Sequence, residues 1–119
     1  MLGVSVAQTV TIDPVGPVTV VEGNILTINC SDEVTVRNDF ILRENGVRLT
    51  GGNAPPSELV GTARIFHLPV DRTKNSNTYN CEELIGGVMS AVITLTVTCE
   101  WSGHIRIMMI IIIITCMQQ

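Results

Sequence analysis

An all-β sandwich is the fold class this sequence predicts, and three observations carry the prediction. Segments of alternating apolar and polar residues begin at roughly ten-residue intervals with turn residues between them, as a sandwich requires. Apolar residues make up 45% of the 119 while aromatics are only 3%. Val, Ile and Leu must therefore fill the interior, and the β-branched among them favour strands. Two segments also place a cysteine on the same face as their apolar residues: Leu26, Ile28 and Cys30 in one, Tyr79 and Cys81 in the other. Side chains two apart on a strand share a face, so both cysteines point at a core.

Taken in order, Thr9–Ile12 and Val18–Val21 read as short edge segments parted by Pro14 and Pro17. Proline donates nothing to a ladder, which confines it to edges and breaks. Glu22-Gly23 turns the chain into Asn24–Ser31, with Leu26, Ile28 and Cys30 inward. Arg37–Glu44 follows, with Phe40 and Leu42 inward, and Asn45-Gly46 gives a two-residue turn of the type that needs positive φ. Val47-Arg48-Leu49 returns, Gly51–Ser57 is loop, and Glu58–Gly61 adds a short edge strand. Ala63–Val70 alternates with Phe66, Leu68 and Val70 inward, and a polar corner, Asp71–Ser76, leads into Tyr79–Ile85. Gly86-Gly87 signals a second hairpin. Val88–Thr98 is expected as one long strand with Met89, Ala91, Ile93, Leu95 and Val97 on its inner face.

The length allows one domain with a modest core. A net charge of −4 and a pI near 4.9 argue against a nucleic-acid binder, which carries a basic stripe. None of the four cysteines (Cys30, Cys81, Cys99, Cys116) has the close C-x-x-C spacing of a zinc or redox site.

From about Val18 to Thr98 the chain resembles an immunoglobulin-superfamily domain. Glu22-Gly23-x-x-Leu26-x-Ile28-x-Cys30 resembles the strand of that family's first cysteine. Asn75-x-Asn77-x-Tyr79-x-Cys81 resembles its Asp-x-Gly/Ala-x-Tyr-x-Cys corner. The resemblance implies an immunoglobulin-like β-sandwich of two antiparallel sheets with one inter-sheet disulfide, Cys30–Cys81, and Tyr79 as a tyrosine corner bonded to upstream backbone around Asp71–Asn75. A disulfide closing so long a loop contributes roughly 4 kcal/mol on the chain-entropy estimate, and implies an oxidising compartment. Two departures stand out. Asn75 replaces an aspartate that often pairs with arginine in the family. The family's core tryptophan falls at Leu42, four residues before Gly46, and Trp101 lies far outside, so Leu42 and Phe40 are expected to pack the disulfide instead. The short cysteine separation fits the intermediate or constant-2 types.

Little in the sequence carries chemistry. Asn29-Cys30-Ser31 matches the glycosylation rule, and Asn29 faces out if Cys30 faces in. Cys99 and His104 are close in sequence but lack a third orienting group, so a catalytic pair is a poor reading beside a linker thiol. His67 reads as a solvated edge histidine. Glu82-Glu83 points to opposite faces and makes no convergent acid pair. The sequence predicts no enzyme, no cofactor and no metal site. Residues 1–8 read as a strand lead-in or the end of a signal peptide whose start is missing, and 9–99 as the domain. Residues 100–119 read as linker and apolar tail. As a helix, Ile107–Met117 spans about 16 Å against the ~30 Å of a bilayer core. It is a truncated transmembrane segment giving a membrane tether, a low-complexity artefact, or a lipid-anchor signal.

The resemblance implies an extracellular recognition or adhesion module of a cell-surface protein, taking a protein partner, homophilic or heterophilic, through a sheet face or end loops. A spacer domain and a secreted binding protein are the rivals. The sheet formed by residues 37–44, 79–85 and 88–98 is the expected face, with Ile41, Arg43, Asn80, Glu82, Val92, Thr94 and Thr96 pointing out.

Overall fold

The computed structural model describes residues 10–32 and 39–99. The expectations for residues 1–8, Arg37, Trp101, His104, Cys116 and the Ile107–Met117 tether fall outside the described residues.

Nine strands are described: β1 (Val10–Asp13), β2 (Pro17–Val21), β3 (Ile25–Asp32), β4 (Phe40–Glu44), β5 (Val47–Arg48), β6 (Ser57–Val60), β7 (Ala63–Pro69), β8 (Thr78–Glu83) and β9 (Ile93–Thr98). They form a four-stranded sheet in the order β1-β3-β7-β6 and a five-stranded sheet in the order β2-β9-β8-β4-β5. The only helical pieces among the described residues are two short 3-10 turns, Gly51–Asn53 and Arg72–Lys74. The Asn45-Gly46 turn joins β4 to β5 with φ of 52° and 81°. These are the left-handed angles a tight hairpin demands and an Asn-Gly pair tolerates.

The core lies between the sheets and follows the alternation read from the sequence. Val10 and Ile12, Leu26 and Ile28, Phe66, Leu68 and Val70 come from one sheet. Phe40 and Leu42, Tyr79, then Ile93, Leu95 and Val97 come from the other, all buried. Cys30 of β3 and Cys81 of β8 bridge the two sheets in a disulfide with a Cα–Cα separation of 5.9 Å, within the range a disulfide spans. In the β4–β8 ladder Leu42 stands directly opposite Cys81, and both are fully buried. Leu42 thus occupies the core position expected of it, with Phe40 two residues away on the same face.

The expected sandwich of two sheets is present, mainly antiparallel with one parallel pair, and one further expectation needs correction. The parallel pair is β2 with β9, from Pro17↔Thr94 to Val21↔Thr98. The cause is a break at Pro14–Gly16, where the chain leaves one sheet and continues in the same direction along the other. The correction is that 88–98 is not one regular strand. Two residues separate Tyr79 from Glu82, yet three separate their partners Ile93 and Met89. One extra residue is therefore accommodated at Ala91–Val92, as in a β-bulge, which reverses the faces upstream of it. Met89 is 48% exposed and Ser90 is buried instead. The Ser90 hydroxyl accepts from Cys81 N at 2.9 Å and donates to the Ala91 carbonyl at 2.8 Å.

Candidate interaction face

The outer face of the five-stranded sheet is built around Glu82. Alternation along β8 sends Cys81 and Glu83 inward and Asn80 and Glu82 outward, as the sequence predicts. The correction is that neither Asn80 nor Glu82 is exposed: they retain 8% and 4% of their surface. Arg43 and Arg48 face each other across β4 and β5 and reach over to the carboxylate. Arg43 Nη1 donates to Glu82 Oε1 at 2.8 Å, Arg48 Nε to Oε1 at 3.0 Å and Arg48 Nη2 to Oε2 at 2.6 Å. Arg43 also donates to the Gly46 carbonyl, so its side chain is mostly covered, whereas that of Arg48 is 51% exposed. Bidentate guanidinium–carboxylate pairing of this kind is among the stronger polar contacts.

The Arg48 bonds, then those from Arg43, hold the Glu82 pKa down from 4.5 to about 2. A carboxylate with a depressed folded-state pKa stabilises the protein above its unfolded value and loses that contribution as pH falls through the folded one. Stability is therefore expected to fall between about pH 4.5 and pH 2. Glu82→Gln should flatten that part of the curve when denaturation midpoints are measured across the range. An unchanged slope would mean that Glu82 is not the group that titrates.

Around this ion cluster lies an apolar patch the sequence reading only partly located. Ile41 opposes Glu82 on β4 and Met89 opposes it on the other side. Leu84 follows on the same face, 50% exposed, and Val92 precedes β9 at 55% exposed. Thr94 and Thr96 extend the face outward along β9, exposed as expected. Met89 and Leu84 were missed. The bulge reverses Met89, and Leu84 follows the end of the strand. Arg48 was left unassigned; its register opposite Arg43 was the available signal.

The other candidate residues have structural roles. Tyr79 does not close a corner onto upstream backbone: its hydroxyl donates to Glu44 Oε2 at 2.6 Å. Glu44 is Tyr79's partner in the ladder. The corner carbonyls of Asp71, Arg72 and Lys74 are already taken by the N–H groups of Lys74, Asn75 and Asn77. Burial and the Glu44 bond push the phenol's pKa well up. Tyr79→Phe should cost about 1.5–3 kcal/mol in chemical denaturation, the range for a hydrogen bond to a charged group. A neutral result would leave the bond without a role. Asn75, in the aspartate's place, accepts from Val97 N at 2.8 Å, while Arg72 pairs with Glu22 at 3.1 Å. Asn29 is half-buried on the outer side of β3. His67 lies 3.0 Å from Glu58. Cys99 is disulfide-bonded, which removes it as a nucleophile. Among the described residues no cluster could hold a metal.

No family model and no curated protein matches the chain. Solved structures do. Titin tandem domains A164–A165 superpose with a TM-score of 0.60 at 12% identity, over 77% of this chain and 50% of that one. The architecture is the immunoglobulin fold. A second immunoglobulin match is the N-terminal Ig1-2 module of the Drosophila receptor protein tyrosine phosphatase DLAR, with a TM-score of 0.57 and 20% identity over 77% of this chain and 50% of that one. A third is the complex of titin M10 with obscurin-like 1 Ig, with a TM-score of 0.57 and 15% identity over 79% and 92%. The chain spans only 32% of the titin I9–I11 tandem that it also matches, the share one immunoglobulin unit of an array would cover.

Proposed function

We propose that this immunoglobulin-fold chain is an extracellular recognition or adhesion module of a cell-surface protein, binding a protein partner through the outer face of the five-stranded sheet. The observation that carries the reading is the patch of Ile41, Leu84, Met89 and Val92 beside a carboxylate sealed under two arginines. Contiguous exposed apolar groups with a polar rim mark interaction sites. The disulfide supports an oxidising compartment. The match to Ig tandems favours a second reading, a spacer unit in a longer array. An intermediate or constant-2 type and a tether through Ile107–Met117 complete the proposal.

Adhesion assays separate the readings: beads coated with the domain are presented to one another and to cells. Val92→Asp and Met89→Asp are expected to abolish attachment with the melting temperature near wild type, because both side chains are about half exposed. Arg43→Glu is a poor probe: it would set a second carboxylate against Glu82 and cost stability. Absence of attachment by the wild type would favour the spacer.

A further inference from the structure

We infer that the partner of this face is acidic: a protein surface presenting a carboxylate next to an aliphatic or aromatic side chain, and not a second copy of the same face. The inference rests on the recognition reading above and adds the chemistry of the partner.

Charge distribution carries it. The chain is acidic overall, at −4, yet the strands of the five-stranded sheet turn no exposed carboxylate outward among the described residues. Asp39, just before β4 and across from Leu84, is 40% exposed but is held by both bonds of Arg64 from the other sheet. Its strand positions are Pro17, Thr19 and Val21, then Thr94, Thr96 and Thr98, then Thr78, Asn80 and Glu82, with Ile41, Arg43 and Arg48 beyond. Glu82 is the one acid, its side chain 5% exposed and held by two guanidinium groups. Over these strand positions Arg43, Arg48 and Glu82 sum to one positive charge, and the Asp39–Arg64 pair at the edge is neutral. The outer face of the four-stranded sheet differs: Asp13 of β1 and Glu58 of β6 lie on it, with only His67 against Glu58.

Arg48 supplies the contact. A guanidinium has five N–H donors, and Glu82 engages Nε and Nη2. No described hydrogen bond uses Nη1, and half of the side chain is in solvent. A partner carboxylate docking on that edge would form a charge-assisted bond on a guanidinium already oriented by Glu82, so little side-chain entropy is lost. Val92, Met89 and Leu84 would meet the apolar neighbour. A basic partner gains nothing from this surface, and two copies related by a two-fold axis would set like charges together.

The test uses the full chain and a phage-displayed library of random dodecapeptides as the probe. Selected peptides are expected to carry Asp or Glu adjacent to Leu, Phe or Trp, with affinity falling as salt is raised. Arg48→Lys keeps a cation beside Glu82 but lacks the spare planar edge, and should weaken these peptides about ten- to a hundredfold. Val92→Asp should remove them. A correctly folded state for each variant is checked by its melting curve, and Val92→Asp, an exposed change, guards against Arg48→Lys disturbing β5. Selection of basic or uncharged peptides, no enrichment, or enrichment indifferent to both variants overturns the acidic assignment. If beads still attach to cells through Val92 in that case, the recognition reading survives. If attachment is also indifferent to Val92→Asp, that reading falls too.

Discussion

Cys30→Ala combined with Cys81→Ala is expected to lower the unfolding free energy by about 2–5 kcal/mol, enough to abolish folding in a small domain. The bond spans a sequence separation of 51, so its loss releases a long loop in the unfolded ensemble. It also removes the covalent link between β3 and β8, the strands through which the two sheets are tied. Two fully buried sulfurs would be lost, each side chain ending at its Cβ methyl, adding a packing defect to the entropic loss. Denaturant titration of the variant, and of the wild type with and without reductant, reads the effect. Unchanged midpoints in both would show that the sheets hold without the bridge.

Leu42→Ala is the second large effect, expected at about 2–5 kcal/mol for a buried leucine truncated in a packed core. Leu42 is fully buried opposite Cys81 and shares its face with Phe40, which is 3% exposed. Ile41→Ala, half-buried on the outer face, should cost clearly less. If Ile41→Ala proved the more damaging, β4 would be out of register by one residue, because such a slip exchanges the two faces.

The sandwich was legible because the alternation is clean where both faces have distinct environments. Leu26, Ile28 and Cys30, or Ile93, Leu95 and Val97, announce an inner face that tertiary packing then honours. The Asn45-Gly46 hairpin was legible for the same local reason: two left-handed angles in sequence select those residues. Three things escaped. The bulge at Ala91–Val92 leaves no mark in composition, since Ala, Val and Ser suit either face, and it inverted Met89. The parallel run of β2 beside β9 depends on which sheet the chain rejoins after Pro14, which alternation does not encode. Tyr79 was assigned to the backbone by resemblance, whereas the ladder places the carboxylate of Glu44 opposite it, and an ionised acceptor outcompetes a carbonyl.

The candidate face was legible as a surface but not as an energy landscape. Period-two reading sent Asn80 and Glu82 outward, and outward they point. That Glu82 would be buried there required knowing that Arg43 and Arg48 meet across the hairpin. A four-residue return through Asn45-Gly46 places them directly opposite, so the pairing follows once the turn is accepted. The consequence is an inversion of role: the acid expected to contact a partner instead orients the arginines.

Side-by-side attachment of Val92→Asp and Ile25→Asp tests the central claim most directly. Both positions are exposed aliphatics, at 55% and 61%, on the outer faces of the five-stranded and four-stranded sheets respectively. The account predicts that beads coated with Val92→Asp fail to attach while beads coated with Ile25→Asp attach like wild type. Equal attachment by the two, or loss confined to Ile25→Asp, would contradict it.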